Sequence, residues 1–241
     1  MDTIADSLHL ALALIADADE RLLAIVGLSL RVSATACALG AAVGLLGGAW
    51  LAVARVPGHR LLVWASNTLL ALPAVVVGLL VYLMLSRAGP LGDAGLLFTP
   101  TAMVIAQAVL VVPLIAALAR RLVADAMTEG GEQLRSLGAA PMTAAMLMLL
   151  HTRFGVATVL LTAFGRAISE VGAVMIVGGN IDGVTRVMTT AIALETSKGD
   201  LPLALALGIV LLGVVGLIYG LIAVVQALSS PRAAATRQAW A

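Results

Sequence analysis

Arg166 and Glu170 are the residues of this chain whose types and spacing most clearly indicate chemistry. They lie within FGRAISEVGAVMIVGGN, an otherwise apolar segment long enough, with its flanks, to cross a bilayer. Even lenient insertion scales give a charged side chain in hydrocarbon a cost of about 2.5–3.5 kcal/mol. The two charges must therefore face each other, a neighbouring helix or water.

Four positions apart on one face of a helix, this pair can neutralise itself. Two interpretations of it remain open from the sequence. In the first, the buried pair orients the helix within a bundle. In the second, the pair borders a pathway for a solute and rearranges as the bundle alternates between outward and inward states.

The residues after this segment combine backbone freedom with hydrogen-bond donors. Gly178, Gly179 and Asn180 allow a sharp turn. Together with the donors that follow, the turn suits an external gate that receives an oxyanion, and it equally suits a re-entrant turn capped by threonines. The donors are Thr185, Arg186, Thr189 and Thr190.

The composition indicates a polytopic membrane protein, because 61% of the residues are hydrophobic, 11% are charged and the mean hydropathy is +1.10. The net charge of +1 gives no sign of a nucleic-acid partner. Cys37 lies in an apolar run and is expected to be a small core residue. No metal site or catalytic residue is expected, because His9, His59 and His151 do not cluster with carboxylates at ligand spacing.

Five apolar runs are long enough to cross the membrane, provided that one of them accepts Arg166 and Glu170. Pro73 and Pro113 fall inside two of these runs and predict kinks. Ile4–Ala16 has an apolar helical face but is short, which favours an interfacial helix over a sixth crossing. The predicted fold is therefore an all-α membrane bundle with crossings at Val32–Ala54, Leu61–Ser86, Leu96–Ala119, Phe154–Val177 and Leu201–Leu228.

Small residues and arginines refine this prediction. Gly40, Gly44 and Gly48 form a ridge that suits close packing of helices. Arginines concentrate in the loops of one side, whereas the N-terminal stretch is acidic, so the N-terminus is expected outside and the C-terminus inside. The arginines on the predicted inner side are Arg55, Arg60, Arg120, Arg121, Arg135, Arg153, Arg232 and Arg237.

The polar segment 120–153 predicts a rigid knob on the inner side. Glu129–Leu137 reads as a polar helix that stops at Gly138, and Pro141 opens an apolar helix. Such a knob suits docking in a groove of another protein. The alternative is an amphipathic hairpin that lies on the membrane.

Glu132–Gly138, with the sequence EQLRSLG, resembles the E-A-A-x-x-x-G loop of ABC importer permeases. Gln133 and Leu134 replace the two alanines, and His151 stands where the closing proline of that loop is common. Three longer segments resemble tungstate ABC transporter permeases, which are relatives of the molybdate permeases. These segments are Asn67–Gly92, Leu96–Gln107 and Phe164–Thr190, so the resemblance covers most of the chain.

The resemblance implies one permease domain over residues 1–241, of the type I importer kind, in a prokaryotic inner membrane. It further implies a homodimer, two ATPase subunits that bind ATP and Mg, and an external oxyanion-binding protein, with no cofactor in this chain. Consistently, the chain has no G-x-x-x-x-G-K-[ST] motif. The implied ATPase-coupling residues are Glu132, Leu137, Gly138, Ala139 and Pro141.

Two alternatives remain. An importer of molybdate or another tetrahedral oxyanion would use the same architecture. An ion-coupled secondary transporter could use Glu170 as a proton carrier, but it would not explain the knob.

Overall fold

A computed structural model of the protein describes residues 4–229, and these residues are almost entirely helical. They contain no β-strand, which confirms the all-α prediction. The α-helices are α1 (Ile4–Ala16), α2 (Glu20–Val53), α3 (His59–Leu69), α4 (Ala74–Leu85), α5 (Pro100–Ser136), α6 (Pro141–His151), α7 (Arg153–Ile168), α8 (Gly172–Gly178), α9 (Met188–Lys198) and α10 (Leu201–Ser229), with a 3-10 turn at Gly92–Ala94.

Three helices of the described chain, α2, α5 and α10, are long and apolar enough to cross a membrane. The number rises to five if each of two broken helix pairs, α3 with α4 and α6 with α7, counts as one span. The range of three to five includes the predicted number. Helix α1 has the predicted bounds, while its place at a membrane interface stays a prediction.

Two predicted spans are not continuous helices. Leu61–Ser86 is interrupted between Leu69 and Ala74, where Pro73 precedes α4 with a φ of −65° and an extended ψ of 125°. Proline lacks an N–H and disfavours helical geometry in the residue before it, so the helix ends instead of bending gently. Phe154–Val177 is interrupted between Ile168 and Gly172.

The predicted polar helix Glu129–Leu137 is not a separate element. It forms the end of α5, a helix of 37 residues that runs through the predicted span and onward to Ser136. Between Ala119 and Glu129 the chain has neither glycine nor proline and is rich in strong helix formers, so nothing interrupts the helix there. Pro113 lies inside α5, which continues on both sides of it.

Two compact units make up the described chain, and each has its own core; the prediction of one domain over residues 1–241 stays a prediction. The first unit comprises residues 4–38, 72–110 and 165–216. Its core brings together buried residues of α2, α4, α5 and α8, among them Val32, Val77, Met103 and Val174.

The second unit comprises residues 39–71, 111–164 and 217–229. Here the predicted glycine ridge on α2 packs closely against α5. A Cβ on Gly40 would lie 2.7 Å from Val111, and one on Gly44 would lie 2.8 Å from Ile115. The third ridge residue, Gly48, faces the backbone of α5. The predicted packing role of these glycines is confirmed.

Cys37 is buried, as expected for a small core residue, and it is not part of a disulfide. Arg232 and Arg237, which contributed to the predicted orientation, lie outside the described residues.

Candidate functional site

The predicted ion pair between Arg166 and Glu170 is present in the first unit. Arg166 Nη1 donates a hydrogen bond of 2.8 Å to Glu170 Oε2. The sequence predicted that the two residues share one helix, and this prediction is wrong. Helix α7 ends at Ile168, and Glu170 lies in the break before α8. The Glu170 side chain is 5% exposed, whereas that of Arg166 is 48% exposed. The carboxylate is therefore enclosed by the fold, whereas about half of the Arg166 side chain can be reached from outside the chain.

Polar side chains from three parts of the fold stabilise the break between α7 and α8 by hydrogen bonds. Glu170 Oε1 accepts a hydrogen bond of 3.3 Å from the N–H of Ala173, in the first turn of α8. The Thr189 hydroxyl donates to the Glu170 carbonyl at 2.7 Å, and Gln107 Nε2 donates to the Ala167 carbonyl at 2.9 Å. Backbone groups that lose their helical partners in an apolar setting need such replacements.

Gln107 is a residue that the sequence interpretation missed. Its side chain is buried on α5, with only 4% of the residue exposed. A lone amide in the middle of an apolar span is a usable signal, since an unpaired amide in hydrocarbon is costly and must find a partner. The sequence could not reveal that this partner is the last turn of α7.

The turn after α8 has the predicted sharp geometry. Gly179 and Asn180 have φ angles of +70° and +51°. The Thr185 hydroxyl, one of the predicted oxyanion donors, donates to the Gly178 carbonyl at 2.6 Å. Asn180 Nδ2 donates to the Thr190 carbonyl at 3.2 Å. This segment thus folds as a turn capped by its own polar side chains.

The remaining predicted donors also bond within the chain. The Thr189 hydroxyl binds the Glu170 carbonyl, as described above, and the Thr190 hydroxyl donates to the Val187 carbonyl at 3.1 Å. In this conformation the hydroxyl groups are engaged, and their role in an external gate stays a prediction.

Arg186, the cation among the predicted gate residues, is buried in an ionic network. Its Nη1 lies 2.9 Å from an Asp182 carboxylate oxygen and 3.8 Å from one of the buried Glu195. The Glu195 carboxylate also lies 3.6 Å from Arg21 and 3.3 Å from Lys198. Arg186 therefore shares its two carboxylate neighbours with Arg21, and Glu195 also with Lys198. The sequence interpretation missed Arg21, Glu195 and Lys198 as members of this network.

The predicted coupling loop lies in the second unit, between α5 and α6. Gly138 has a φ of +79°, its N–H donates to the Arg135 carbonyl at 2.9 Å, and the N–H of Ala139 donates to the Leu134 carbonyl at 3.0 Å. This is the bonding of a glycine that terminates a helix. Pro141 opens α6, as predicted.

The tip of this loop is exposed to an unusual degree for an apolar residue. Leu137 is 81% exposed, and the neighbouring Glu132 is exposed without an ion-pair partner among residues 4–229. An exposed leucine on a rigid helix end is suited to contact with a partner protein.

Interrupted apolar helices, a charged pair at one interruption and an exposed helix–glycine–helix loop are features typical of a membrane transport protein. No protein-family model matches the chain. Curated relatives do match it: the chain is 44% identical over 212 residues to the tungstate uptake system permease protein TupB of Peptoclostridium acidaminophilum, covering 88% of this chain and 93% of the relative. The chain belongs to the family of tungstate uptake permeases.

Two further relatives extend the comparison. The TupB protein of Campylobacter jejuni is 35% identical over 212 residues, which cover 88% of this chain and 89% of the relative. The third relative is a Bacillus subtilis protein, YvgM, which is named a putative molybdenum transport system permease protein. It is 31% identical over 196 residues, which cover 75% of this chain and 83% of the relative.

Proposed function

We propose that this chain is the transmembrane permease of an ATP-driven importer that carries tungstate. The observation that carries this proposal is the half-exposed guanidinium of Arg166 beside the buried carboxylate of Glu170, in an otherwise apolar segment. Tungstate is a tetrahedral dianion, so its pathway needs hydrogen-bond donors together with a limited positive potential, since a strong cationic site would retain the ion. A guanidinium whose charge is balanced by one carboxylate supplies both.

Residues from the end of α8 to the first turn of α9 are proposed to form the external gate. In the conformation described here their hydroxyl groups bond to the backbone, and Arg186 pairs with Asp182. Opening of the gate would exchange these internal bonds for bonds to the oxyanion. The proposed gate residues are Gly178, Gly179, Asn180, Thr185, Arg186, Thr189 and Thr190.

The proposed assembly is a homodimer of this chain with two ATP-binding cassette subunits, which bind ATP and Mg, and an external binding protein that delivers the oxyanion. The loop at Glu132, Leu137, Gly138, Ala139 and Pro141 is proposed to dock on the ATPase. Its rigid turn and the exposed Leu137 side chain support this role. The importer is proposed to lie in a prokaryotic inner membrane, with the N-terminus outside.

Molybdate is the second candidate substrate, because YvgM is also a relative. Both anions are tetrahedral and doubly charged, and the family resemblance favours tungstate. The external binding protein that delivers the anion would determine most of the selectivity between tungstate and molybdate.

Uptake by the reconstituted transporter tests the proposal. We would purify the permease with its ATPase, reconstitute both in proteoliposomes, add the binding protein and measure accumulation of labelled tungstate. We expect accumulation that needs ATP, persists with a proton ionophore and is inhibited more strongly by tungstate than by molybdate. Stronger inhibition by molybdate would favour the second candidate, and uptake driven by a proton gradient without ATP would refute the importer.

A further inference from the structure

The second unit contains a basic cleft between the end of α2 and the loop that joins α5 to α6. Two cavities of about 170 and 510 Å³ form it, and they have several lining residues in common. We refer to this pair of cavities as the arginine cleft. The residues that line both of them are Val53, Ala54, Arg55, Arg135 and Pro141.

The charge of the arginine cleft is uncompensated. Arg55 and Arg135 are both exposed, and neither forms a salt bridge with a carboxylate in residues 4–229. No aspartate or glutamate lines either cavity. Two guanidinium groups that share one cleft without a counter-ion attract an anion, and guanidinium groups match the oxygens of a phosphate particularly well.

The N-terminus of α6 adds to this attraction. Ala140, Pro141 and Met142 line the larger cavity, and no side chain caps the helix at Ala140. The first N–H groups of this helix of 11 residues therefore present the positive end of its dipole at the cleft. An anion seated between the arginines would meet three sources of positive potential.

The walls of the larger cavity are apolar and lie at the end of a membrane-spanning helix. Trp50, Val53 and Met142 line it, and the Trp50 residue is 45% exposed. Val53 is the last residue of α2, so the cleft lies at the end of a helix that is long and apolar enough to cross a membrane. Tryptophan is enriched where such helices leave the hydrocarbon, and basic clefts between helices at that level suit anionic headgroups.

We propose that the arginine cleft binds an anionic phospholipid, with its phosphate between Arg55 and Arg135 and an acyl chain along Trp50 and Met142. A free inorganic anion would leave the apolar wall unused. An acidic segment of a soluble partner would have to reach Trp50, which lies within the last turn of the membrane-spanning helix. The site does not depend on which anion the permease transports. Its wall includes Ala139 and Pro141, so a bound lipid would lie directly beside the coupling loop.

Native mass spectrometry of the purified full chain tests this site. The permease is mixed with phosphatidylglycerol and phosphatidylcholine in equal amounts, and the retained lipid is measured. We expect the wild type to retain phosphatidylglycerol preferentially, and R55Q/R135Q to lose this retention roughly tenfold or more, because each basic residue near an anionic headgroup contributes substantially. R60Q/R121Q is the matched control, since it removes two exposed arginines that do not line the cleft. R55K/R135K should keep most of the preference, because it retains both charges.

Equal loss in R55Q/R135Q and R60Q/R121Q would overturn the proposal, since it would reduce the effect to general surface charge. Displacement of the lipid by millimolar inorganic phosphate would assign the cleft to a free anion. If R55Q/R135Q retained lipid as the wild type does but lost ATPase binding, the arginine cleft would be assigned to the partner protein.

A second measurement leaves the arginines intact and so does not depend on how those variants fold. Trp64 and Trp240 are changed to phenylalanine, so that Trp50 is the remaining tryptophan, and its fluorescence is measured in vesicles that contain brominated lipids. Brominated phosphatidylglycerol should quench Trp50 more than brominated phosphatidylcholine at the same mole fraction. Equal quenching by the two lipids would exclude a site selective for an anionic headgroup.

Discussion

Glu170 is the structural member of the ion pair that it forms with Arg166. The Glu170 carboxylate is buried and binds both the Arg166 guanidinium and the N–H of Ala173, so it stabilises the break before α8. In Glu170→Gln the amide oxygen can still accept the bond from Ala173, but the partner of Arg166 loses its charge. We expect E170Q to destabilise the permease by about 1–3 kcal/mol, as for loss of a hydrogen bond to a charged group. Thermal unfolding in detergent measures this.

The double variant R166Q/E170Q separates stability from transport. It leaves no lone charge in the apolar segment, so we expect stability to recover towards the wild type. If Arg166 contacts the oxyanion, ATP-dependent tungstate uptake should stay low although the protein folds. Wild-type uptake by the double variant would remove this pair from the pathway.

The glycine ridge allows a matched test of packing on one helix. A Cβ on Gly44 would lie 2.8 Å from Ile115, whereas one on Gly47 would have no neighbour within 4 Å. We expect Gly44→Ala to cost about 1–3 kcal/mol, because overpacking forces side chains and backbone to shift. Gly47→Ala should be neutral or slightly stabilising, since alanine favours helix. Similar unfolding midpoints for the two variants would show that α2 and α5 can separate at no cost.

At the scale of elements, local signals predicted several helix boundaries correctly. Ile4–Ala16, the stop at Gly138 and the start at Pro141 follow from patterns within a few residues, and the structure has each of them. The break at Glu170 was not predictable in this way. Gln107 and Thr189 support it from distant positions in the chain, and counting apolar residues gives no information about such bonds.

Gly138 provides the sharpest test of the proposed coupling loop. Its φ of +79° disfavours a side chain, yet a Cβ there would have no neighbour within 4 Å, so any effect of substitution comes from the backbone alone. A β-carbon in this conformation costs roughly 1–2 kcal/mol, and asparagine tolerates it better than valine. We expect Gly138→Val to weaken co-purification of the ATPase and to reduce uptake, and Gly138→Asn to retain both.

Membrane insertion of the two Gly138 variants, measured by their amount in washed membranes, is the control. Equal ATPase binding and uptake for G138V, G138N and the wild type would exclude this turn from coupling.

At the scale of the whole molecule, the sequence predicted local contacts better than contacts between distant elements. The ion pair of Arg166 with Glu170 and the turn at Gly179 are present, although the pair spans the break before α8 instead of lying on one helix. The network around Arg186 was missed, because Glu195 meets both Arg186 and Arg21 only through the folded arrangement of α2 and α9. Ion pairs at a spacing of three or four residues can be read from sequence, whereas networks between distant elements require the fold.

The orientation of the chain depends on the distribution of arginines over its loops and can be tested directly. With Cys37 changed to alanine, a single cysteine is introduced at one exposed loop position at a time. Pro57 is preferable to Gly58 for the predicted inner side, since Gly58 has a φ of +79° that a cysteine would strain. Asp93, which is exposed within the 3-10 turn, serves for the outer side.

In intact cells we expect an impermeant thiol reagent to label Asp93→Cys and to leave Pro57→Cys unlabelled, because positively charged loops remain on the inner side. Permeabilised cells should show labelling of both positions, which establishes that each cysteine is reactive. The reverse pattern in intact cells would place the coupling loop outside, where no ATP-hydrolysing partner could reach it. That result would contradict the orientation and the proposed coupling together, whereas labelling of both positions in intact cells would mean that this part of the chain does not cross the membrane as proposed.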